Sequence, residues 1–502
     1  MKPVQKKSSH LLLSILIVLS AAFVNCETGS EAGDDITGDT NGDTAAIFDI
    51  QTQQTWSKLY SYNRYTGRNI LHTGENSFIT LTDGGRLTKV DKAGTVIWQK
   101  SFSGCRPDAI VLSADGYILA TGMRITEMGD ENGEFILMKI DMAGSVMWTK
   151  IFTGSSLFSP CIVVCDKNEK SIILAGGDYT LYSGNKIFSN QQVIKLDSTG
   201  KIIWAKIIGT GNYDTIRDLK VTPDGGYIII SNNRTVLKLS SGGELKWTRR
   251  SAFDVWLNSI EVLKEGGFML AGEKYSGGDN SDAVIIKFDG EGNSTWSREL
   301  HNVTGGGNWG EDSPDDTMMV WANRQYYDKP ISIRATPDGG YAVFGRTNKV
   351  ARTNITPLYV RVNYTGGWII KLDAKCNISW QKKYADNFSY KFHSGDAPVA
   401  HIYYTTIDLK SFDMSANGGF VLTGGIKAAS GDEMTTIIMK TDGDGRIGDT
   451  DLKIRNAQAV VRSIDISLEA LTGTAVDSSA FSSKDDTAGS IDLDPRFVVS
   501  DF

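Results

Sequence analysis

The sequence predicts an all-β protein built from repeated units of four short strands. The chain has 502 residues with 53 Gly and only 10 Pro, a composition that favours many strands joined by tight turns over long helices. A stretch of twelve residues recurs along it, as in "KVDKAGTVIWQK" from Lys89, "KIDMAGSVMWTK" from Lys139 and "KLDSTGKIIWAK" from Lys195. Repeated sequence of this kind predicts repeated structure.

The shared core of the repeat is Lys-x-Asp-x-x-Gly-x-x-x-Trp. The Trp follows the Asp by the same interval at Asp91/Trp98, Asp141/Trp148, Asp197/Trp204, Asp289/Trp296 and Asp373/Trp380, and Ser replaces Asp at Ser240/Trp247. An Asp at the start of a turn accepts hydrogen bonds from the amides that follow, and Gly supplies the positive φ that closes a hairpin. We expect a tight turn here, with the Trp on the following strand packed between neighbouring units.

A second motif alternates with the first. It is a strand, a Gly-containing turn and an aromatic-led strand, as in "LSADGYILATG" at Leu112, "VTPDGGYIII" at Val221, "VLKEGGFML" at Val262, "ATPDGGYAVFG" at Ala335 and "MSANGGFVLTG" at Met414. Together the motifs give four strands in roughly 42 to 56 residues, the period of a β-propeller blade. A long β-solenoid or a chain of β-sandwiches is the alternative, but neither has a reason for four strands per unit.

The two ends of the repeat region predict how the propeller closes. Trp56 lies on a Trp-type strand without three strands before it, whereas "MTTIIMKTDGDGRIGD" from Met434 supplies a third strand and its turn without a Trp strand after. We therefore predict seven four-stranded blades over residues 48–451, with the N-terminal strand completing the last blade. Such closure removes free sheet edges.

The repeats resemble those of secreted bacterial and archaeal β-propellers with "KLDxxGxxxW" and "DGGYxxxG" units. More distantly they are similar to the tryptophan-docking repeats of quinoprotein enzymes and of outer-membrane-assembly lipoproteins. The resemblance covers roughly Phe48 to Asp449 and implies the fold, because these residues shape blades and bind nothing. The quinoprotein enzymes also carry an adjacent-cysteine pair and a calcium and quinone site. This sequence has no adjacent cysteines and no matching acid/base set, so no cofactor is expected. The repeated turn that begins at Asp373 carries Cys376 in place of Gly, which predicts strain or another turn type there.

The N-terminus resembles a bacterial lipoprotein signal. Lys2, Lys6 and Lys7 precede an apolar run at residues 11–24, and Cys26 stands where a lipobox cysteine is lipidated, although Asn25 departs from the usual small residue. We expect a signal over residues 1–25 and an acidic, flexible tether over residues 26–47; a plain secretory signal is the alternative. Residues 452–502 are predicted to form a poorly ordered tail.

Charge and cysteine content bear on the expected partners, disulfides and metal sites. The net charge is −7, and removal of three lysines with the signal makes the remainder more acidic, so nucleic acid is not an expected partner. An exported protein can form disulfides, but the pairing of Cys105, Cys161, Cys165 and Cys376 is left open by the sequence. No His/Cys cluster predicts a metal site, and "DGDGRIGDTD" from Asp442 departs from a calcium-binding loop at Ile447 and Lys453. We interpret it as a blade turn.

The candidate binding site comes from unequal loop lengths. The two repeated turns of each blade share one face of the disc, whereas the insertions "TEMGDENGE", "DYTLYSGNKIFSN", "KYSGGDNSD" and "KVARTNITPLYVRVNYTGGW" and two long crossovers, from His301 and from Ala385, fall on the other. Loops on one face of a rigid scaffold often carry function. The crossovers leave consecutive blades, so we expect them to be neighbours. Their candidate binding residues are Trp309, Asp315, Asp316, Trp321, Arg324, Tyr326, Tyr327, Tyr390, His393, His401, Tyr403 and Tyr404.

Aromatic rings among acids and amides fit a sugar- or protein-binding patch, although single rings could instead pack the loops onto the propeller. The sequence thus favours a lipid-anchored propeller, exported to the bacterial outer membrane or cell surface, that binds an envelope protein or glycan and meets the membrane only through its anchor. A polysaccharide-active enzyme and an outer-membrane assembly scaffold are the alternatives. No catalytic residue is assigned, because adjacent acids such as Asp315 and Asp316 do not fix the separation that glycoside hydrolysis needs.

Overall fold

The structure is a computed structural model, and it describes the strands and turns of the repeat region. The described residues are 55–60, 65–74, 76–102, 105–124, 135–152, 157–182, 185–209, 215–231, 234–251, 255–275, 281–301, 321–355, 358–384, 388–390, 402–404, 406–416, 418–427, 434–447, 454–456, 460–463, 469–470 and 474–477. Among these residues there is no helix with the length and apolar character needed to cross a membrane.

Six blades are each formed by four consecutive antiparallel strands. Blade 1 contains β2 (Gly67–Thr73), β3 (Ser77–Thr82), β4 (Leu87–Val90) and β5 (Val96–Lys100). Blade 2 contains β6 (Cys105–Leu112), β7 (Ile118–Arg124), β8 (Phe135–Ile140) and β9 (Val146–Phe152). Blade 3 contains β10 (Leu157–Asp166), β11 (Ser171–Tyr182), β12 (Asn185–Leu196) and β13 (Ile202–Gly209).

The next three blades follow the same order. Blade 4 contains β14 (Ile216–Val221), β15 (Tyr227–Ser231), β16 (Thr235–Leu239) and β17 (Leu245–Arg250). Blade 5 contains β18 (Val255–Val262), β19 (Phe268–Tyr275), β20 (Ser281–Phe288) and β21 (Ser294–His301). Blade 6 contains β22 (Trp321–Ala335), β23 (Tyr341–Ile355), β24 (Leu358–Leu372) and β25 (Ile378–Tyr384).

The seventh blade joins the two ends of the repeat region, as the sequence predicts. It consists of β28 (Thr406–Met414), β29 (Phe420–Lys427), β30 (Met434–Lys440) and the N-terminal strand β1 (Trp56–Tyr60). In it β1 runs antiparallel to β30, with Trp56 opposite Lys440. The first strands of neighbouring blades contact one another around a complete ring. The protein is therefore a seven-bladed β-propeller closed by its N-terminal strand.

The core is divided among the interfaces between blades. The described residues form seven clusters of buried apolar side chains, and each cluster spans one pair of neighbouring blades. At the closing interface, Trp56 and Tyr60 of β1 pack with Phe78 of blade 1 and Val421 of blade 7. Burial of these side chains holds neighbouring blades together.

The two sequence motifs form the two expected turns. In blade 3, Asp197 accepts hydrogen bonds from the amides of Thr199 and Lys201 at 2.8 and 3.0 Å, and Gly200 has a φ of 84°. The lysine of the first motif pairs with the acid of the Gly-containing turn of the second motif in the same blade, with Lys139 Nζ 2.6 Å from Asp115 Oδ2 and Lys371 Nζ 2.7 Å from Asp338 Oδ2. Each motif lysine of these pairs thus stabilises a turn.

Cys376 occupies the turn position that is Gly elsewhere, and the turn keeps the common form. The Cys376 amide donates to the Asp373 carbonyl at 2.9 Å, and the Cys376 φ is 63°. Of the two possibilities left by the sequence, strain within the ordinary turn is therefore the one found.

Four short strands lie within the predicted tail region, 452–502. They are β31 (Ile454–Asn456), β32 (Val460–Ser463), β33 (Glu469–Ala470) and β34 (Thr474–Asp477), and they pair antiparallel with the outer strands of blades 6, 5, 4 and 3 in turn. Each of these outer strands is paired at the same place, two residues after its Trp. The partners there are Asn456 in blade 6, Ser463 in blade 5, Ala470 in blade 4 and Asp477 in blade 3. This segment, which we call the C-terminal belt, therefore advances by one blade for every seven residues.

Candidate binding surface

The two faces of the propeller differ in the length of the strands that reach them. We call the end where the first strand meets the second, and the third meets the fourth, the short-turn face; the opposite end is the long-loop face. In blade 3, β11 and β12 continue pairing to Tyr182 and Asn185. In blade 6, β23 and β24 continue to Ile355 and Leu358. Most strands of the other blades are shorter.

Two insertions that the sequence suggests are loops are therefore β-hairpins in their described parts. They are "DYTLYSGNKIFSN" in blade 3 and "KVARTNITPLYVRVNYTGGW" in blade 6. The physical reason lies in their content of Tyr, Ile, Val and Thr, which fit a pleated sheet. The blade strands simply continue past the disc.

One group of predicted residues lies on the extended first strand of blade 6. Trp321 pairs with Thr353, Tyr326 with Lys349 and Tyr327 with Asn348, all across the β22–β23 ladder. Arg324 lies in the irregular part of that strand, where the register shifts between Ala322 and Gln325. The extension of blade 6 is thus a three-stranded sheet of β22, β23 and β24, and the predicted residues lie along its first strand.

A second group lies in the crossover between blades 6 and 7. There β26 (Phe388–Tyr390) and β27 (Ile402–Tyr404) form a small antiparallel sheet. Tyr390 pairs with Ile402, Tyr403 with Ser389 and Tyr404 with Phe388. One group therefore lies on the first strand of blade 6, and the other follows its last strand in the chain.

The remaining predicted residues lie outside the described residues. These are Trp309, Asp315, Asp316, His393 and His401, and also Cys26, the expected lipidation site. The expected contact between the two long crossovers stays a prediction.

A polar contact that the sequence did not indicate supports the extended strand of blade 6. Lys329 Nζ of β22 lies 3.0 Å from Glu273 Oε1 of blade 5, and the Glu273 side chain is only 7% exposed. Two residues earlier, Tyr327 pairs with Ser281 of β20 in a parallel bridge between the blades. Because a buried carboxylate needs a partner, this ion pair fixes the base of the extension against blade 5. Its members lie in separate repeats, so no local pattern could reveal them.

The first strands of the blades share a regular feature. Each has a register shift a few residues before its end, at residues 68, 108, 161, 217, 258, 331 and 410. Bulges of this kind redirect side chains near binding sites. Here the Arg68 guanidinium lies 2.5 Å from the Asp108 carboxylate, and Lys410 donates to Thr66 Oγ1 at 2.5 Å. These charges connect neighbouring blades around the axis.

Carboxylates also join the first strands of blades 4, 5 and 6. Asp218 Oδ2 accepts from the Ile260 amide at 2.8 Å, and Glu261 Oε1 accepts from the Ala335 amide at 2.9 Å. Burial raises the pKa of Glu261, against the opposing charge of Arg334. Both acids serve as inter-blade acceptors.

The described thiols lack the features of nucleophiles. Cys105, Cys165 and Cys376 are free, and burial raises the pKa of Cys105 and of Cys376 to about 11, so both are protonated at neutral pH. Among the described residues no three His, Cys, Asp or Glu side chains gather as a metal site. The Asp442 sequence is a blade turn, with Asp442 accepting from the Asp444 and Arg446 amides at 3.0 and 2.7 Å.

Comparison with known proteins finds solved structures of similar fold but no matching family. No protein family matches the sequence, and no curated protein does. Solved structures with a similar fold include the WD40 β-propeller domain of Doa1, at 11% identity and a TM-score of 0.43, with 76% of this chain and 95% of that chain covered.

Two bacterial structures are also similar. BamB from Moraxella catarrhalis has 13% identity and a TM-score of 0.35 over 76% of this chain and 97% of its own. A protein of unknown function from Bacteroides caccae has 9% identity and a TM-score of 0.36 over 64% of this chain and 93% of its own. These similarities are too distant to indicate a ligand, and the seven blades are established by this chain's own strand pairing.

Proposed function

We propose that this chain is a lipid-anchored protein of the bacterial cell envelope that binds a protein or a glycan through its long-loop face. The observation that supports this most directly is the unequal length of the strands. In blade 6, β22, β23 and β24 have 15 residues each, whereas the described turns on the short-turn face are tight.

The extension of blade 6 suits a binding platform because it is made of paired strands. Binding residues on strands are held more precisely than residues on free loops. Trp321, Tyr326 and Tyr327 lie along its first strand, and aromatic rings provide flat apolar area for sugar rings or protein side chains. The Lys329–Glu273 pair at 3.0 Å fixes the base of this strand. A rigid base lowers the entropy lost on binding.

The test compares the full-length protein with a triple variant, Trp309→Ala, Trp321→Ala and Tyr403→Ala. The probes are a glycan microarray and immobilised envelope polysaccharide, together with chemical crosslinking in intact envelopes. Loss of central aromatic anchors should weaken binding by at least about tenfold. The matched control is Lys246→Ala, Thr295→Ala and Ser379→Ala, three exposed positions on outer strands near the short-turn face. Equal binding by wild type and triple variant, with both folded, would overturn the proposal.

No described feature favours catalysis. The enzyme alternative depends on Asp315 and Asp316, which lie outside the described residues. A scaffold in outer-membrane assembly is a form of protein binding, and the same crosslinking experiment would identify it.

A further inference from the structure

Exposed apolar side chains repeat at one position on three neighbouring blades. The residue just before the blade Trp is Ile97 in blade 1, Met147 in blade 2 and Ile203 in blade 3, and these side chains are 53%, 53% and 55% exposed. Val96 and Val146, one position earlier, are also exposed. We call these five residues the apolar rim. Single exposed apolar residues are common, whereas a larger exposed apolar area indicates an interaction surface. Here the exposed residues recur at one position on three neighbouring blades.

The same position in the next three blades is polar. It is Lys246 in blade 4, Thr295 in blade 5 and Ser379 in blade 6, and all three are exposed. The repeat geometry therefore requires no apolar residue there, because the turn and the Trp are kept in blades that lack it. The apolar rim is confined to one side of the disc.

The described propeller begins beside the apolar rim. Trp56, at the start of β1, pairs with Lys440 at the end of β30, so the first strand enters from the short-turn face. The Trp56 indole donates to the carbonyl of Lys92 in the turn of blade 1 at 2.8 Å. That turn leads directly into Val96 and Ile97. The chain thus reaches the propeller at the face and blade where the apolar rim begins.

Exposed lysines lie beside the apolar rim, together with acids that are held within their turns. Asp91 Oδ1 accepts from the Ala93 and Thr95 amides at 2.8 Å, and Asp141 Oδ1 accepts from the Ala143 amide at 2.9 Å. Lys92 and Lys201, in the turns of blades 1 and 3, are exposed. Exposed apolar side chains with nearby lysines are features of surfaces that rest in the headgroup region of anionic membranes.

We propose that the apolar rim rests on the lipid surface to which the chain is anchored, so that the short-turn edge of blades 1–3 faces the membrane and the long-loop face points away. This orientation rests on the proposed lipid anchor at Cys26, and it would leave the proposed binding face open to its ligand. From the sequence, the anchor is the only expected membrane contact; the apolar rim adds a second.

The test places a photoreactive benzoylphenylalanine at position 147 or 97 of the full-length protein, and at position 295 or 379 as controls. The probe membrane consists of vesicles of phosphatidylethanolamine with phosphatidylglycerol as the anionic lipid. We expect lipid adducts at 147 and 97 in an excess on the order of tenfold over 295 and 379. Equal lipid labelling at all four positions would overturn the proposal, as would adducts at 147 only with a second copy of the chain or with its own residues 478–502.

A second variant tests the membrane contact of the apolar rim independently of the lipid anchor. A Cys26→Ser chain with a hexahistidine segment after residue 26 is held on nickel-chelating lipid, and labelling is repeated there. Failure of the native protein to float with vesicles would contradict the lipid anchor. Preferential labelling of the tethered form at 147 would support the membrane-facing rim independently, and its absence would overturn it.

Discussion

The indole Nε1 of Trp204 in blade 3 donates a hydrogen bond to the carbonyl oxygen of Ser241 in the turn of blade 4, at 3.1 Å. The same relation joins Trp98 to Met142 at 3.0 Å. The Trp204 ring also covers Gly243, where an added Cβ would lie 3.2 Å from the ring. The repeated Asp, Gly and Trp are thus parts of one contact, in which the Trp of each such blade packs on the turn of the next.

Replacing Trp204 with Ala should lower the free energy of unfolding by about 2–4 kcal/mol, since it removes a partly buried ring and leaves a void between two blades. Trp204→Phe keeps most of the ring and loses the hydrogen bond, so it should cost only about 1 kcal/mol. Denaturant unfolding of both variants measures the difference. Near-native stability of Trp204→Ala would mean that this contact is superficial.

Cys376→Gly should stabilise the protein. The left-handed conformation costs a non-Gly residue about 1–2 kcal/mol, and Cys376 has a φ of 63°. Part of this gain is offset because Cys376 packs against the cluster between blades 5 and 6. Cys376→Ala keeps the strain and loses the sulfur, so the Gly variant should melt at a higher temperature than the Ala variant. The reverse order would show that packing outweighs strain.

Stability should fall at low pH through the turn acids. Burial opposes ionisation of Asp224 and Asp338, but hydrogen bonds from Lys238 and Lys371 outweigh it and lower the pKa of each carboxyl to about 2. The ordinary Asp pKa is about 3.9, so this stabilisation is complete above about pH 4 and is lost as the pH falls towards 2.

The double variant Asp224→Asn, Asp338→Asn should therefore show a smaller drop in melting temperature between about pH 5 and pH 2.5 than wild type. Both carboxylates are more than half exposed, so solvent screening keeps the effect modest. Glu244→Gln is the control, because its pair with Lys246 is exposed. An unchanged pH dependence in the double variant would contradict this assignment.

Truncation before Ile454 should expose the outer strands of blades 3–6. Hydrogen exchange is expected to speed up at the ends of β13 and β21, whose residues Lys206–Gly209 and Arg298–His301 pair with the C-terminal belt. The described part of the belt does not pair with β5 in blade 1, so exchange there serves as the internal reference. Equal exchange before and after truncation would mean that the belt does not hold these edges.

Cys26→Ser should release the protein from membranes or leave its signal uncleaved. The reason is that only a thiol at this position can carry the lipid of a lipobox. Detergent-phase partitioning measures the change. Unaltered partitioning of the variant would rule out lipidation at Cys26.

The blades could be predicted from the sequence because each turn is encoded locally. An Asp that accepts amides two and four residues on, and a Gly at positive φ, need no distant partner. The seven-blade count and the closure by Trp56 follow from counting these units and are confirmed. The C-terminal belt could not be predicted, since it pairs through backbone edges and residues 452–502 carry no repeated turn signal.

Less of the candidate site could be predicted. The composition of the blade 6 insertion suggests a loop, but the segment forms a β-hairpin. Its β-branched residues favour a strand, whereas the nearby Gly and Asn favour a loop, so the composition is compatible with both. The Glu273–Lys329 pair joins two repeats through an inter-blade contact, and only the assembled ring brings these residues together. The aromatic residues from Trp309 to Tyr404 remain a hypothesis about the long-loop face.

The pairing of β1 with β30 also sets an order of assembly. In a chain synthesised from its N-terminus, β1 with Trp56 is made before the strands of any other blade. Its partner strand β30 ends at Lys440 and is made after blades 1–6. Blades 1–6 can form as they emerge, because each uses consecutive strands, whereas β1 must wait as a single unpaired strand. Such strands are prone to association with other chains. The growing protein therefore carries an open edge until nearly all of the propeller has been made, and the interval before closure is its period of greatest vulnerability.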